Sequence, residues 1–185
     1  RGPFIQSADQ GKESIWHAYF CYSRRSIALD LDDAEGLEQV DVLLTKADIV
    51  LTCPGAFGVE ESKEIVRDKN REELVFIDTC SFRDGCEWAD YQAPDIVAGA
   101  LAGQIATTGD ADTAPLKNFG ELNFMGSGAY TAISALSALY NRRATGSGQR
   151  VEVSVHECFA SCLDHVFRLD GYGEAMEQPV GGVLP

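Results

Sequence analysis

Between residues 26 and 78 the chain alternates apolar runs of strand length with stretches of helical period, and that alternation limits the folds open to it. Residues 26–31, Ser-Ile-Ala-Leu-Asp-Leu, read as a strand. Asp32 and Asp33 can cap the helix that follows, on which Leu37, Val40 and Leu44 share a face. Residues 47–51 are a second apolar run, ended by Thr52-Cys-Pro-Gly-Ala56. Residues 59–69 are helix-like and highly charged, and residues 74–78 are a third run. Strands joined through helical crossovers pair in parallel. The pattern therefore predicts βαβ units and a Rossmann-like parallel sheet with flanking helices.

Downstream the spacing loosens. Residues 81–94 read as a polar, aromatic loop, Asp95 can open a short helix ending near Gly103, and residues 107–115 read as a loop. The clearest helix is expected over 128–143. Ala129, Ala132, Ile133, Leu136, Leu139 and Tyr140 fall at helical spacing there and predict its buried face. Gly146 is placed to close that helix, residues 151–155 alternate as a strand, and a last helix carries Val155, Phe159, Cys162 and Val166 as a stripe. The first 25 residues are weakly patterned. A lead-in over 1–20, one α/β segment over 21–170 and a tail over 171–185 describe the organisation, and 185 residues suffice for one core.

Fifteen Lys and Arg against 29 Asp and Glu leave a net charge of −14, which repels nucleic acid in the absence of a strong basic patch. A phosphate-bearing ligand would need local donors, and Arg24-Arg25 is the best cluster. No apolar run approaches the roughly 20 residues of a membrane span. The six cysteines show no CxxC pairing and read as reduced thiols, so a cytoplasmic or organelle-matrix setting is expected.

Three local patterns resemble functional motifs and have plainer readings. Thr145-Gly-Ser-Gly-Gln149 follows a helix where a phosphate-cradling loop opens one, and reads as a connector. Cys158, Cys162 and His165 share a helical face but want a fourth ligand for zinc, and read as core thiols. Ser154 and His156, two residues apart at a strand end, do not make a nucleophile and base.

Four segments resemble the class III (CaiB/BaiF-type) coenzyme A transferases. Arg24-Arg-Ser-Ile-Ala-Leu-Asp-Leu31 is similar to N-x-x-K-R-S-V-A-L-D-L. Ala47-Asp-Ile-Val-Leu51 with Pro54-Gly55 is similar to A-D-V-V-x-E-N-F-x-P-G, and the stretch from Asp95 to Thr108-Gly109 to Y-D-x-x-x-Q-A-x-S-G with a T-G turn. Residues 137–155, S-A-L-Y-N-R-R-A-T-G-S-G-Q-R-V-E-V-S-V, match A-A-L-x-x-R-x-x-T-G-x-G-Q-x-V-D-V-S. The resemblance implies a strand and helix ahead of the first segment, a smaller second domain behind the last, and an interlocked homodimer or larger assembly, so the chain reads as an incomplete portion of that two-domain fold. It implies CoA or an acyl-CoA as ligand, a carboxylic acid as acceptor and no prosthetic group. Arg24, Arg25, Cys53, Pro54, Gly55 and Arg83 fall at the positions expected to contact CoA.

The family's chemistry needs an aspartate. Its carboxylate attacks an acyl-CoA thioester, forms a mixed anhydride, and takes up CoA as a thioester before passing it to an acceptor acid. Counting back from Thr145 with Gly128 aligned, that position falls on Phe124, or with a one-residue gap on Asn123. Glu121 is the nearest acid. Pro94 stands where the racemase branch has its histidine. Two functions follow: CoA transfer with a carboxylate from elsewhere, or a non-catalytic homologue that binds acyl-CoA or serves as a structural half.

Overall fold

A computed structural model describes residues 3–6, 11–30, 32–53, 72–89, 91, 93–109 and 113–163. The chain divides into two compact units, Arg1–Val40 and Asp41–Pro185. In the first, β1 (Phe4–Gln6) and β2 (Lys12–Ser14) pair antiparallel, and the Ser14 hydroxyl accepts from His17 N to cap α1 (Ile15–Phe20). These elements carry no periodic signal because none has a buried face: Phe4, Ile5, Ile15, Tyr19 and Phe20 are all exposed. The strand expected at 26–31 does not form. Residues 24–30 have no regular structure and only Leu29 is partly covered, while Leu31 lies outside the described residues. An apolar alternation makes a strand only where a neighbour takes up its backbone hydrogen bonds. The expected helix does follow, as α2 (Ala34–Lys46), with Leu44 buried.

In the second unit, β3 (Ile49–Thr52), β4 (Val75–Cys80) and β5 (Arg150–Ser154) form a parallel sheet in the order β3-β4-β5. Val50 pairs with Phe76 and Ile77 with Val151. The α/β fold read from the sequence is present, and β4, with all six residues buried, is its centre. The expected helix at 59–69 lies outside the described residues. Further along come α3 (Asp95–Leu101), a 3-10 turn (Ile105–Thr107), α4 (Leu122–Thr145) and α5 (Val155–Ser161). Val75, Ile77, Val153, Ala135, Ala138, Cys158 and Phe159 make the main core.

Helix α4 differs from expectation in two respects. It begins six residues earlier than 128, and it buries the opposite face. Asn123, Ser127, Thr131, Ala135 and Ala138 face inward, while Ala129, Ala132, Ile133, Leu136 and Tyr140 are exposed, Tyr140 at 78%. Of the expected face only Leu139 packs on the core. Small side chains let α4 approach the sheet closely, and the hydroxyls bond locally. Thr131 Oγ1 donates to Ser127 O (2.8 Å) and lies 3.1 Å from Thr79 Oγ1, and Ser127 Oγ donates to Phe124 O (2.9 Å). A Cβ on Gly126 would meet the Phe159 ring at 2.7 Å. On α5, Val155 and Phe159 are buried as expected, but Cys162 is exposed at the C-cap, and Val166 lies outside the described residues.

The Thr145–Gln149 connector is a structural staple. Gly146, at φ 78°, closes α4, with its N–H donating to Arg142 O. Arg142 ties the helix end to the sheet: Nη2 bonds Asp48 Oδ1 (2.8 Å) and Nη1 bonds Glu73 O (3.1 Å). Gly148 passes so near the start of β4 that a Cβ would lie 2.1 Å from Leu74 O. Gly148→Ala is therefore expected to cost at least about 2 kcal/mol in urea unfolding. Gly128→Ala, at a mid-helix position with nothing within 4 Å of the added atom, should gain about 0.5–1 kcal/mol. Equal effects at the two glycines would contradict this account of the connector.

Candidate functional site

The positions aligned with the family's aspartate lie in the first turn of α4, and an acid on a different helix holds that turn. Asp95, at the start of α3 and only 5% exposed, accepts from Asn123 N (2.9 Å) and Phe124 N (3.1 Å) through Oδ1. A helix N-terminus presents unpaired N–H groups and a partial positive charge, and here a carboxylate from outside the helix satisfies both. Asn123 Nδ2 donates to Asp95 O and to Asp95 Oδ2, each at 3.1 Å. Both partners are acceptors, which fixes the amide orientation. Asn123 is 2% exposed, and its Oδ1 has no hydrogen-bond partner among the described residues. Lys117 Nζ completes the node, 3.5 Å from Asp95 Oδ2 and also donating to Asn118 O and Gly120 O.

Asn123 is thus consumed by Asp95. Phe124 is half-buried against the small cluster of Phe82, Ala93, Ala98 and Val155. The roles of Asp95 and Lys117 were not legible in the sequence. Asp95 marked a helix start and the head of a family-like segment, and no periodicity links it to a residue 28 positions away.

A second polar cluster lies on the sheet face opposite α4, where the pleat turns Phe76, Asp78 and Cys80. Asp78, 1% exposed, accepts from Thr52 Oγ1 (2.7 Å) and pairs with Arg150 Nη2 (2.8 Å), which also lies 3.5 Å from Asp84. Glu152 Oε1 accepts from Asp84 N (2.7 Å) and Cys80 Sγ (3.5 Å). Burial first, then the charge of Glu152, pushes the Cys80 thiol up to about 12. Burial likewise raises Cys158 to about 11.

The expected CoA-contacting residues fall in different places. Arg24 and Arg25, in the first unit, are exposed, and no ion pair joins either to another described residue. They follow Ser23, whose φ of 61° is the one positive value at a non-glycine among the described residues. Cys53, in the second unit, is exposed just after β3, while Pro54 and Gly55 lie outside the described residues. Arg83 is exposed and 3.9 Å from Glu157. Ser154 Oγ accepts from Glu157 N to cap α5, whereas the His156 ring lies against Phe82 and Trp88 with Nε2 3.3 Å from Leu101 O. Their side chains have separate partners. Of the three residues considered for zinc, Cys158 is buried, Cys162 exposed, and His165 outside the described residues.

The second unit is an α/β domain in which a long helix packs on a parallel sheet, with the Asp95–Asn123–Lys117 node at the start of that helix. Residues 2–183 match the sequence model of CoA-transferase family III, and the chain belongs to that family. It is 32% identical over 179 residues to a formyl-CoA:oxalate CoA-transferase of Escherichia coli, covering 90% of this chain and 42% of that protein. With the enzyme of that name from Streptomyces avermitilis it shares 30% over 146 residues, 77% of this chain and 35% of the relative. A crystal structure of a CaiB/BaiF family protein from Brucella suis superposes with a TM-score of 0.81 at 25% identity, over 96% of this chain and 48% of that one. The chain therefore spans less than half the length of these relatives.

Two outcomes are expected. Asp95→Ala, which leaves helix N–H groups and Lys117 unmatched, should cost on the order of 3 kcal/mol in chemical denaturation. A loss below about 1 kcal/mol would show that the node does not hold α4. The thiols give a pH test. Their raised values keep the protonated form in the folded state, so their contribution is intact below the ordinary thiol value of 9.0 and is lost as pH rises toward 11 and 12. Iodoacetamide at pH 8 should alkylate the exposed Cys53 and Cys162 well before Cys80 and Cys158, as read by peptide mass spectrometry.

Proposed function

We propose that the full-length protein binds coenzyme A and acyl-CoA thioesters as a CoA-transferase of family III, and that positions 123 and 124 of this chain do not supply the attacking carboxylate. The observation that carries this reading is the first turn of α4: Asn123 gives its amide to Asp95, and Phe124 offers a half-buried ring. Neither side chain can form an anhydride with an acyl group. Any CoA transfer then uses a carboxylate from elsewhere in the protein, with a carboxylic acid as acceptor.

In this reading Arg24 and Arg25 meet the phosphates, for which paired guanidinium groups with no ion pair to another described residue are suited. Cys53, Pro54 and Gly55, after β3, and Arg83 complete the CoA contacts. The exposed stripe of α4, from Ala129 to Tyr140, supports a partner surface, and the homodimer implied by the family resemblance is our reading of the assembly. None of the described helices is long and apolar enough to cross a membrane, and we assign the protein to the cytoplasm or an organelle matrix.

Calorimetry should give micromolar CoA binding by the full-length protein, and Arg24→Ala with Arg25→Ala should weaken it by about 1.5–3 kcal/mol per lost contact. Absence of binding to CoA and to several acyl-CoAs would refute the ligand assignment. Catalysis is read by incubating with an acyl-CoA panel, adding hydroxylamine and mapping peptides. No adduct is expected between Glu121 and Gly128. An adduct on Glu121 would make that acid the nucleophile, and one elsewhere would identify the carboxylate that replaces position 124.

A further inference from the structure

The turn that joins α1 to the paired arginines holds a backbone conformation that its own side chains do not offset. α1 is fixed at both ends: Ser14 caps its start, Cys21 N donates to His17 O at its finish, and the Trp16 ring stacks on Phe20 with centroids 4.7 Å apart. Arg24 N then donates to Cys21 O at 3.1 Å and closes a tight turn on the helix end. Within that turn Ser23 has φ 61°, in the left-handed region that glycine enters freely and most other residues enter at a cost. A serine hydroxyl can offset part of this cost by bonding nearby backbone. Ser23 is exposed, and its Oγ makes no hydrogen bond to another described residue.

The conformation serves the residues that follow. From Arg24 to Asp30 the chain forms neither strand nor helix, so no regular element fixes the path of the arginines downstream. Upstream, the Arg24–Cys21 bond ties them to the end of α1, and the φ of Ser23 sets the line along which they leave it. At a negative φ the chain would depart in another direction and carry both guanidinium groups with it. Arg24 and Arg25 are exposed and form no ion pair with another described residue, so no acid there would draw them back. Strained backbone of this kind is retained where the conformation is used.

We propose that the Cys21–Arg24 turn is a positioning device for phosphate binding, in which the positive φ of Ser23 directs Arg24 and Arg25 toward the phosphates of one CoA molecule. The inference rests on the CoA-binding reading above. It adds Ser23 as a positioning residue that acts through the two arginines and does not itself touch the ligand.

The test is a mutant cycle read by calorimetry of the full-length protein with CoA. Ser23→Val, whose branched Cβ disfavours positive φ, should raise the Kd about tenfold. It should also flatten the dependence of log Kd on log salt concentration, as loss of phosphate contacts does. Ser23→Gly, at ease at that φ, should rescue binding to within about twofold of the original Kd. In the Arg24→Ala, Arg25→Ala background, Ser23→Val should add less than about twofold, because the groups it positions are gone. If circular dichroism shows Ser23→Val unfolded, Ser23→Ala, which also lacks glycine's freedom, takes its place in the cycle. An unchanged Kd in Ser23→Val would overturn the inference while CoA binding stands. So would an equal loss in Ser23→Gly, which would assign the effect to the hydroxyl, or the same loss from Ser23→Val with both arginines already removed. If the unsubstituted protein binds no CoA, or the double arginine variant binds it equally well, the underlying reading fails first.

Discussion

The close seating of α4 on β4 and β5 is the contact on which the rest of the second unit depends. It is made by Ser127, Thr131, Ala135 and Ala138, side chains small enough for the helix backbone to approach Val75, Ile77 and Val153. Two of them carry hydroxyls, and their cost in a buried position is offset by bonds to helix carbonyls and to Thr79. Once this face is committed, the helix's larger apolar side chains, Ile133, Leu136 and Tyr140, are left exposed. The same seating requires Gly126 beneath the Phe159 ring and the tight return through Gly148.

Each end of α4 is then fixed by charge. At the C-terminal end Arg142 satisfies carbonyls at the starts of β3 and β4 and pairs with Asp48. At the N-terminal end the Asp95 carboxylate meets the N–H groups of Asn123 and Phe124, which have no partner within the helix, and is balanced by Lys117. Each arrangement follows the sign of the helix dipole, with a cation at the C-terminus and an anion at the N-terminus. The N-terminal arrangement also accounts for Asn123. A carboxylate at that position would stand against Asp95, whereas an amide can donate to it twice.

That node occupies the turn on which the sequence comparison aligned the family's aspartate. Here the local charge is taken up by structure, and the position aligned with the nucleophile belongs to a small apolar cluster.

Alternating apolar runs were enough to read the parallel sheet, because strand and helix periods are local properties of the chain, and the long motif from residue 137 to 155 carried the family. Gly146 was legible as a helix end for the same reason. The strand expected at 26–31 failed, since pairing depends on a partner that local sequence does not specify. The face of α4 was misread because hydrophobic periodicity measures which side chains prefer to leave water, whereas the packed face was chosen by size. The sequence by itself determined the order of the elements in the sheet region, the connector and the absence of an aspartate at positions 123 and 124. Only the tertiary structure decided which side of α4 is buried, that Asp95 caps a helix 28 residues away, and that Lys117 is spent in balancing it, because each depends on contacts between segments distant in the chain.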